Sequence, residues 1–272
     1  AIALYVLRSA KCATRPTIVL DWTESGKAMC TLSAAIPVEG RALTIYSITV
    51  SVRQYASVAV ENAFLAKLQT LVGQDCRPIL LGDAGFRGPW IKRVQAIGWD
   101  FVVRIRGRTQ VQLAGEQRWQ HWKKLSSSAG RAPRSLGRCR LVRTRHVEAR
   151  LVVVDRRSQR ARSSRVKRRN LRARRAAKAQ REPWFLATSL PWPPRDVIKL
   201  YALRMQIESS FRDLKSHRFG WCFEDARCRS TPRIAVQILL AALASLISML
   251  VGIAAEKAGL HRRFQANTIQ KR

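Results

Sequence analysis

Short apolar runs rich in β-branched residues open the chain, and their spacing predicts strands. The run "TIVLDWT" (17–23) reads as a buried strand. "AMCTLSAAIPV" (28–38) and "ALTIYSITVS" (42–51) are partly alternating and read as two further strands, with Gly40 at the turn between them. Helical spacing takes over in "ASVAVENAFLAKLQTLVG" (56–73) and stops at Gly73. "PILLGDAGF" (78–86) is a short apolar strand running into a glycine-containing turn. "PWIKRVQAIG" (89–98) is a helix with Pro89 near its start and Gly98 at its end, and "DFVVRIRG" (100–107) is another strand. The order β-β-β-α-β-α-β predicts a mixed α/β sheet.

From 108 to 182 the periodicity weakens. "CRLVRTRHVEARLVVVDRR" (139–157) predicts a β-hairpin. Residues 156–182 carry thirteen Lys and Arg and a single acid, Glu182. Such a run is a solvated, disordered loop, a phosphate-binding arm, or both. Order returns with "WFLATSL" (184–190), a strand ended by "PWPP" (191–194), after which Asp196 is placed to cap a helix. That helix includes "YALRMQIESSFRDLK" (201–215). With Tyr201 at 0°, Leu200, Leu203, Ile207, Phe211 and Leu214 fall between roughly 200° and 280°. Tyr201, Arg204, Glu208, Arg212 and Lys215 fall between roughly 300° and 20°. One stripe suits a core and its neighbour suits a cleft. "IAVQILLAALASLISMLVGIAA" (234–255) is long enough to span a bilayer. Its polar residues and the character of the rest of the chain favour a buried core helix of a soluble protein, with no membrane partner.

Composition then names the partner. The 272 residues hold 51 Lys+Arg against 17 Asp+Glu, a formal charge of +34. A field of that sign and size calls for a polyanion, with nucleic acid first. Hydrophobic residues make up 47%, enough for one large domain or two small ones. The six cysteines form no C-x-x-C and no zinc-like Cys/His spacing, which suits free thiols in a reducing cytosol. No segment reads as a signal peptide, and a start at Ala1 is expected of a fragment.

In so acid-poor a chain, carboxylates at strand ends stand out. Asp21 ends the first strand and Asp83 the fourth, and Glu208 lies on the polar stripe of a helix. Sites in open α/β sheets lie at the carboxyl ends of strands. Three converging carboxylates would make a hard-oxygen site for Mg²⁺ or Mn²⁺, suited to phosphoryl displacement with two ions. Each acid has a plainer use. Asp21 would cap a turn, Asp83 would form an Asx-turn before Gly85, and Glu208 would pair with Arg204 or Arg212.

These residues resemble the DDE transposases of bacterial insertion sequences. The helix matches the signature Y-(2)-R-(3)-E-(6)-K at Tyr201, Arg204, Glu208 and Lys215, and "VLDWT" and "LLGDAGF" look like the two aspartate motifs. "EPWFLATSLP", "RMQIESSFRDLKS" and "RFQANT" are similar to the IS-four family, in particular its IS-ten-like members. The resemblance implies a ribonuclease H-like fold. Its expected division is 1–107 as the first part of the catalytic domain, 108–182 as a β-rich insertion subdomain, and 183–272 as the second part with C-terminal helices. It further implies that Asp21, Asp83 and Glu208 hold the catalytic metals and that Tyr201, Arg204 and Lys215, joined by Arg212, contact DNA phosphates. Trp184 would stack on a base flipped from the transposon end. The implied activity is cut-and-paste transposition through a DNA hairpin, by a homodimer on double-stranded DNA (terminal inverted repeats and target) in the bacterial cytoplasm. An N-terminal end-binding domain and further C-terminal helices are expected to lie outside this chain, which leaves an inactive, truncated DNA-binding protein as one alternative. A different ribonuclease H-like nuclease is another.

Overall fold

A computed structural model describes residues 15–26, 28–144, 146–155, 182–218, 220–228 and 230–263. The arginine-rich run at 156–181 and all of the motif "RFQANT" (263–268) after its first residue lie outside the described residues.

The first three strands are β1 (Thr17–Glu24), β2 (Met29–Val38) and β3 (Arg41–Ser51), each antiparallel to the next. Helix α1 (Val58–Val72) follows. Ser57 Oγ accepts the Val60 amide at its start, and Gly73, with φ 90°, ends it. Strand β4 (Ile79–Gly82) lies parallel to β1, and helix α2 (Gly88–Ala96) carries the chain to β5 (Asp100–Arg104), parallel to β4. The predicted order of the first hundred residues therefore holds. The fourth and fifth strands are shorter than their apolar runs, because the chain turns at Asp83 and again after Arg104.

The segment expected to form an insertion contributes β6 (Gln110–Leu113), β7 (Gln120–His121), β8 (Arg134–Leu141) and β9 (Val147–Val154), with β8 and β9 as the predicted hairpin. These strands continue the same sheet. Strand β10 (Trp184–Thr188) pairs antiparallel with β5 on one side and β9 on the other, giving the ten-stranded order β3-β2-β1-β4-β5-β10-β9-β8-β6-β7. The architecture is a ribonuclease H-like mixed α/β sheet flanked by helices.

Alternation along the central strands divides the core. Ile18, Leu20 and Leu80 face α1 and α2, packing with Phe64, Leu65, Trp90 and Val94. Val19, Leu81, Val102 and Leu186 face the opposite way, onto Val197, Tyr201 and Ile207. The covering helices on that side are α3 (Pro194–Ala202) and α4 (Met205–Lys215).

Three expectations are corrected. Asp196 does not cap α3: the cap position is Pro193, and Asp196 sits in the first turn, 3.9 Å from Lys199. The signature segment is two helices, not one. Leu203 and Arg204 keep helical dihedrals, but their amides reach Leu200 and Tyr201, three residues back, so the chain tightens into a 3-10 turn between α3 and α4. The apolar segment at 234–255 is a helix, α5 (Thr231–Lys257), but it is not a buried core helix. Only Ile234 and Ile238 are buried. Leu239, Leu240, Ile247 and Val251 are exposed, and Leu246 and Met249 lie against Ile36 and Leu43 of the β2–β3 corner. By length and composition α5 could cross a membrane, with 6% of its most apolar window buried. Uniform apolarity fixes what a helix avoids, while the number of its packing neighbours is a property of the fold.

Candidate active site

The sheet itself brings the two aspartates together. Val19 of β1 is the register partner of Leu81 of β4. Two residues further on, Asp21 and Asp83 reach the same level of two neighbouring chains about 4.8 Å apart. Asp21 does not end its strand as expected, because antiparallel pairing with β2 carries β1 on to Glu24, and only the parallel pairing with β4 stops before it. Two residues is one full period of a strand, so Asp21 takes the face of Val19, toward α3 and α4. Asp83 follows directly on β4, and its Oδ1 accepts the Gly85 amide at 2.8 Å. The Asx-turn is therefore real, and it leaves the other carboxylate oxygen for other partners.

The third acid arrives from above. Ile207 is buried under α4, which sets the rotation of that helix. Arg204 Nη1 donates to Asp21 Oδ2 at 3.3 Å, and its Nη2 pairs with Glu208 Oε1. Helical spacing explains the second contact, since residues four apart are neighbours on the surface. The first spans the space between helix and sheet. A guanidinium thus stands between two of the three expected acids. Burial pushes the Asp21 carboxyl from 3.8 up to about 7; Arg204 opposes this, and the charges of Asp83 and Glu208 add to it. Burial alone would lower Arg204, but Tyr201, Asp21, Glu208 and Asp83 outweigh it and raise its pKa. The donor set is oxygen only and crowded with negative charge, and it already holds one cationic group. That fits a hard divalent cation.

Other signature residues take distinct places. Tyr201 is only 2% exposed and lies edge-on to Trp184, with ring centres 5.0 Å apart. Burial pushes its hydroxyl up to about 12 against the pull of Arg204 and Arg104. Trp184 is half-buried at the start of β10. Lys215 Nζ donates to the Glu24 carbonyl at the end of β1 and lies 3.4 Å from Glu224 Oε1. Arg212 is exposed.

Three residues around the acids were not singled out from sequence. Arg104 projects from β5 toward Tyr201 and Arg204, and burial lowers its pKa. Tyr55 packs at a tilt against Trp22 with centroids 5.3 Å apart, and the pKa of its hydroxyl is raised by burial and then by the charges of Asp83 and Asp21. No periodic signal marks either one. Glu61 of α1 is 5% exposed, beside Trp22, Arg87 and Asp83. It did have a signal: it shares a helix face with Phe64, Leu65 and Leu68, three, four and seven residues on.

A ribonuclease H-like sheet with one acid inside the first strand, a second just past the adjacent parallel strand, and a third on the helix above, defines a class of enzymes that act on nucleic-acid phosphodiesters. Within it, the family described as transposase DDE domain matches residues 14–247, and the chain belongs to that family. Comparison with curated proteins finds no match.

Proposed function

We propose that this chain is the catalytic core of a cut-and-paste transposase of the IS-four type, cleaving DNA at transposon ends and joining the freed ends to target DNA. The observation that carries this is the convergence on one face of the sheet. Strand register supports a common level for Asp21 and Asp83, and Arg204 links Asp21 to Glu208. Asp21, Asp83 and Glu208 would hold two Mg²⁺ or Mn²⁺ ions. When bound, such ions activate an attacking oxygen and stabilise the leaving one.

The chain's own residues supply positioning. Arg204, released from the carboxylates, offers its fork of donors to a phosphate, and Lys215 and Arg212 extend that positive edge along α4. Trp184 presents an aromatic platform to an extruded base. One site serves each step because every step is the same displacement with a different nucleophile. Water opens the end and leaves a 3′-hydroxyl. That hydroxyl attacks the opposite strand to give a hairpin, water reopens it, and the 3′-hydroxyl then attacks target DNA. Double-stranded DNA with terminal inverted repeats is the substrate and a homodimer in the bacterial cytoplasm the working form.

The test is cleavage and strand transfer on labelled end DNA with Mg²⁺ or Mn²⁺. Asp21→Asn, Asp83→Asn and Glu208→Gln are each expected to abolish both reactions while still binding DNA. Normal cleavage by all three variants would overturn the assignment. A second proposal is favoured by Arg204 itself, which occupies two of the acids: a basic DNA-binding protein without catalysis. Salt-sensitive binding with no cleavage in either metal would identify it.

A further inference from the structure

The loop after α4 gathers a second group of donors with different chemistry. His217 Nδ1, Cys222 Sγ and a carboxylate oxygen of Asp225 lie within 4.8 Å of one another. His217 Nδ1 is 2.9 Å from Asp225 Oδ2. Cys222 adopts left-handed dihedrals, φ 51° and ψ 35°, at the head of the 3-10 turn Phe223–Ala226. That conformation is uncommon for a residue with a side chain. Here it turns the chain back so that 222 and 225 meet 217. The thiol is free and only half-buried, and its polar contacts are the carbonyls of Ser216 at 3.7 Å and His217 at 3.5 Å.

We propose that His217, Cys222 and Asp225 form a binding site for a first-row transition ion, foremost Zn²⁺, separate from the catalytic carboxylates. One imidazole nitrogen, one thiolate and one carboxylate oxygen, with a fourth position open to water, are a zinc donor set. The acids on the sheet offer oxygen alone. The softness of the donors therefore sorts two kinds of cation to two places. Small side-chain rotations bring the donors to bonding distances of about 2.0–2.3 Å. On binding, the Cys222 thiol and His217 Nδ1 each give up a proton to solvent or, for the imidazole, to Nε2, and the freed Nδ1 lone pair takes the ion in place of Asp225. The ligands come from both ends of the loop, so the ion closes it. Glu224, the neighbour of Asp225, pairs with Lys215 at the end of α4. Occupancy of the loop site would thus fix the partner of a signature lysine.

The experiment is a Co²⁺ titration of the untagged, reduced 272-residue chain. A thiolate-to-cobalt charge-transfer band is expected to saturate at one ion per chain, and to be displaced by Zn²⁺ but not by Mg²⁺. Cys222→Ser should remove the band, Cys228→Ser and Asp21→Asn should keep it, and His217→Ala should weaken Co²⁺ binding by about tenfold or more. Far-UV circular dichroism checks that each variant is folded. Absence of the band in the parent chain, or a band of equal strength in Cys222→Ser, would overturn the site.

Discussion

Asp83 is held by a single turn, and that turn admits a side chain at Gly85 only if the Asp83 carboxylate moves. A Cβ built there would lie 2.9 Å from Asp83 Oδ1, closer than such atoms approach. Gly85→Ala is therefore expected to leave the fold intact but push the carboxylate from its place, lowering cleavage by about 100-fold, as displacements near 1 Å do. Cleavage kinetics beside a thermal melt will check it. Glu61 allows a test by pH. Burial raises its carboxyl from 4.5 to about 7, so folding favours the protonated form. Its contribution is then fully favourable below pH 4.5 and is lost as pH rises through about 7. Glu61→Gln should stabilise the chain above pH 8 by about 1–3 kcal/mol, with the gain fading toward pH 4. Urea unfolding at several pH values measures it, and a pH-independent difference would contradict the cause.

At the scale of elements, α4 must sit at a fixed height above the sheet for Glu208 to meet Asp21. Part of that height is set by Ser210, whose Oγ accepts the Ala42 amide at 2.8 Å and lies 3.0 Å from the Ala42 carbonyl on β3. Ser210→Ala leaves edge groups of β3 unpaired, and is expected to cost about 1–2 kcal/mol in urea unfolding and to lower cleavage more than DNA binding. Much at this scale was legible in the sequence. The apolar run at 17–23, the partial alternation of 28–38 and 42–51 and the helical spacing of 56–73 gave three strands and a helix within a few residues. The break between α3 and α4 was not legible, because helical spacing runs on through a 3-10 turn and no Gly or Pro marks it. Nor was the pairing of β9 with β10, since the hairpin alternation says which residues face inward but not which strand lies beside them.

Across the whole molecule, the chain carries a formal charge of +34 and belongs to a transposase family, which implies a DNA substrate. If six to ten phosphates are neutralised, affinity for duplex DNA should fall by about 10³–10⁵ between 50 and 200 mM salt. Fluorescence anisotropy across a salt series measures the slope, and a flat response would exclude phosphate contacts as the main source of binding. The helix α5 belongs to this scale too. Its exposed Leu240 and Val251 contribute little to the core, so Leu240→Glu and Val251→Glu are expected to move stability by no more than about 0.5 kcal/mol, read by thermal melts.

By itself the sequence determined the order of the elements in the first hundred residues, the basic character, and the places of Asp83 just past a strand and Glu208 on a helix, with Asp21 in the first strand though not at its end. These follow from local periodicity and from residue chemistry, which a linear chain carries in full. Only the tertiary structure decided that Arg204 joins two of those acids, that Tyr201 is buried against Trp184, and that α5 lies largely exposed. It also brought His217, Cys222 and Asp225 together, a spacing that matches no zinc pattern along the chain. The reason is common to all four. Each depends on which neighbour arrives across space and from which side, and that is set by strand register and helix docking rather than by spacing in the chain.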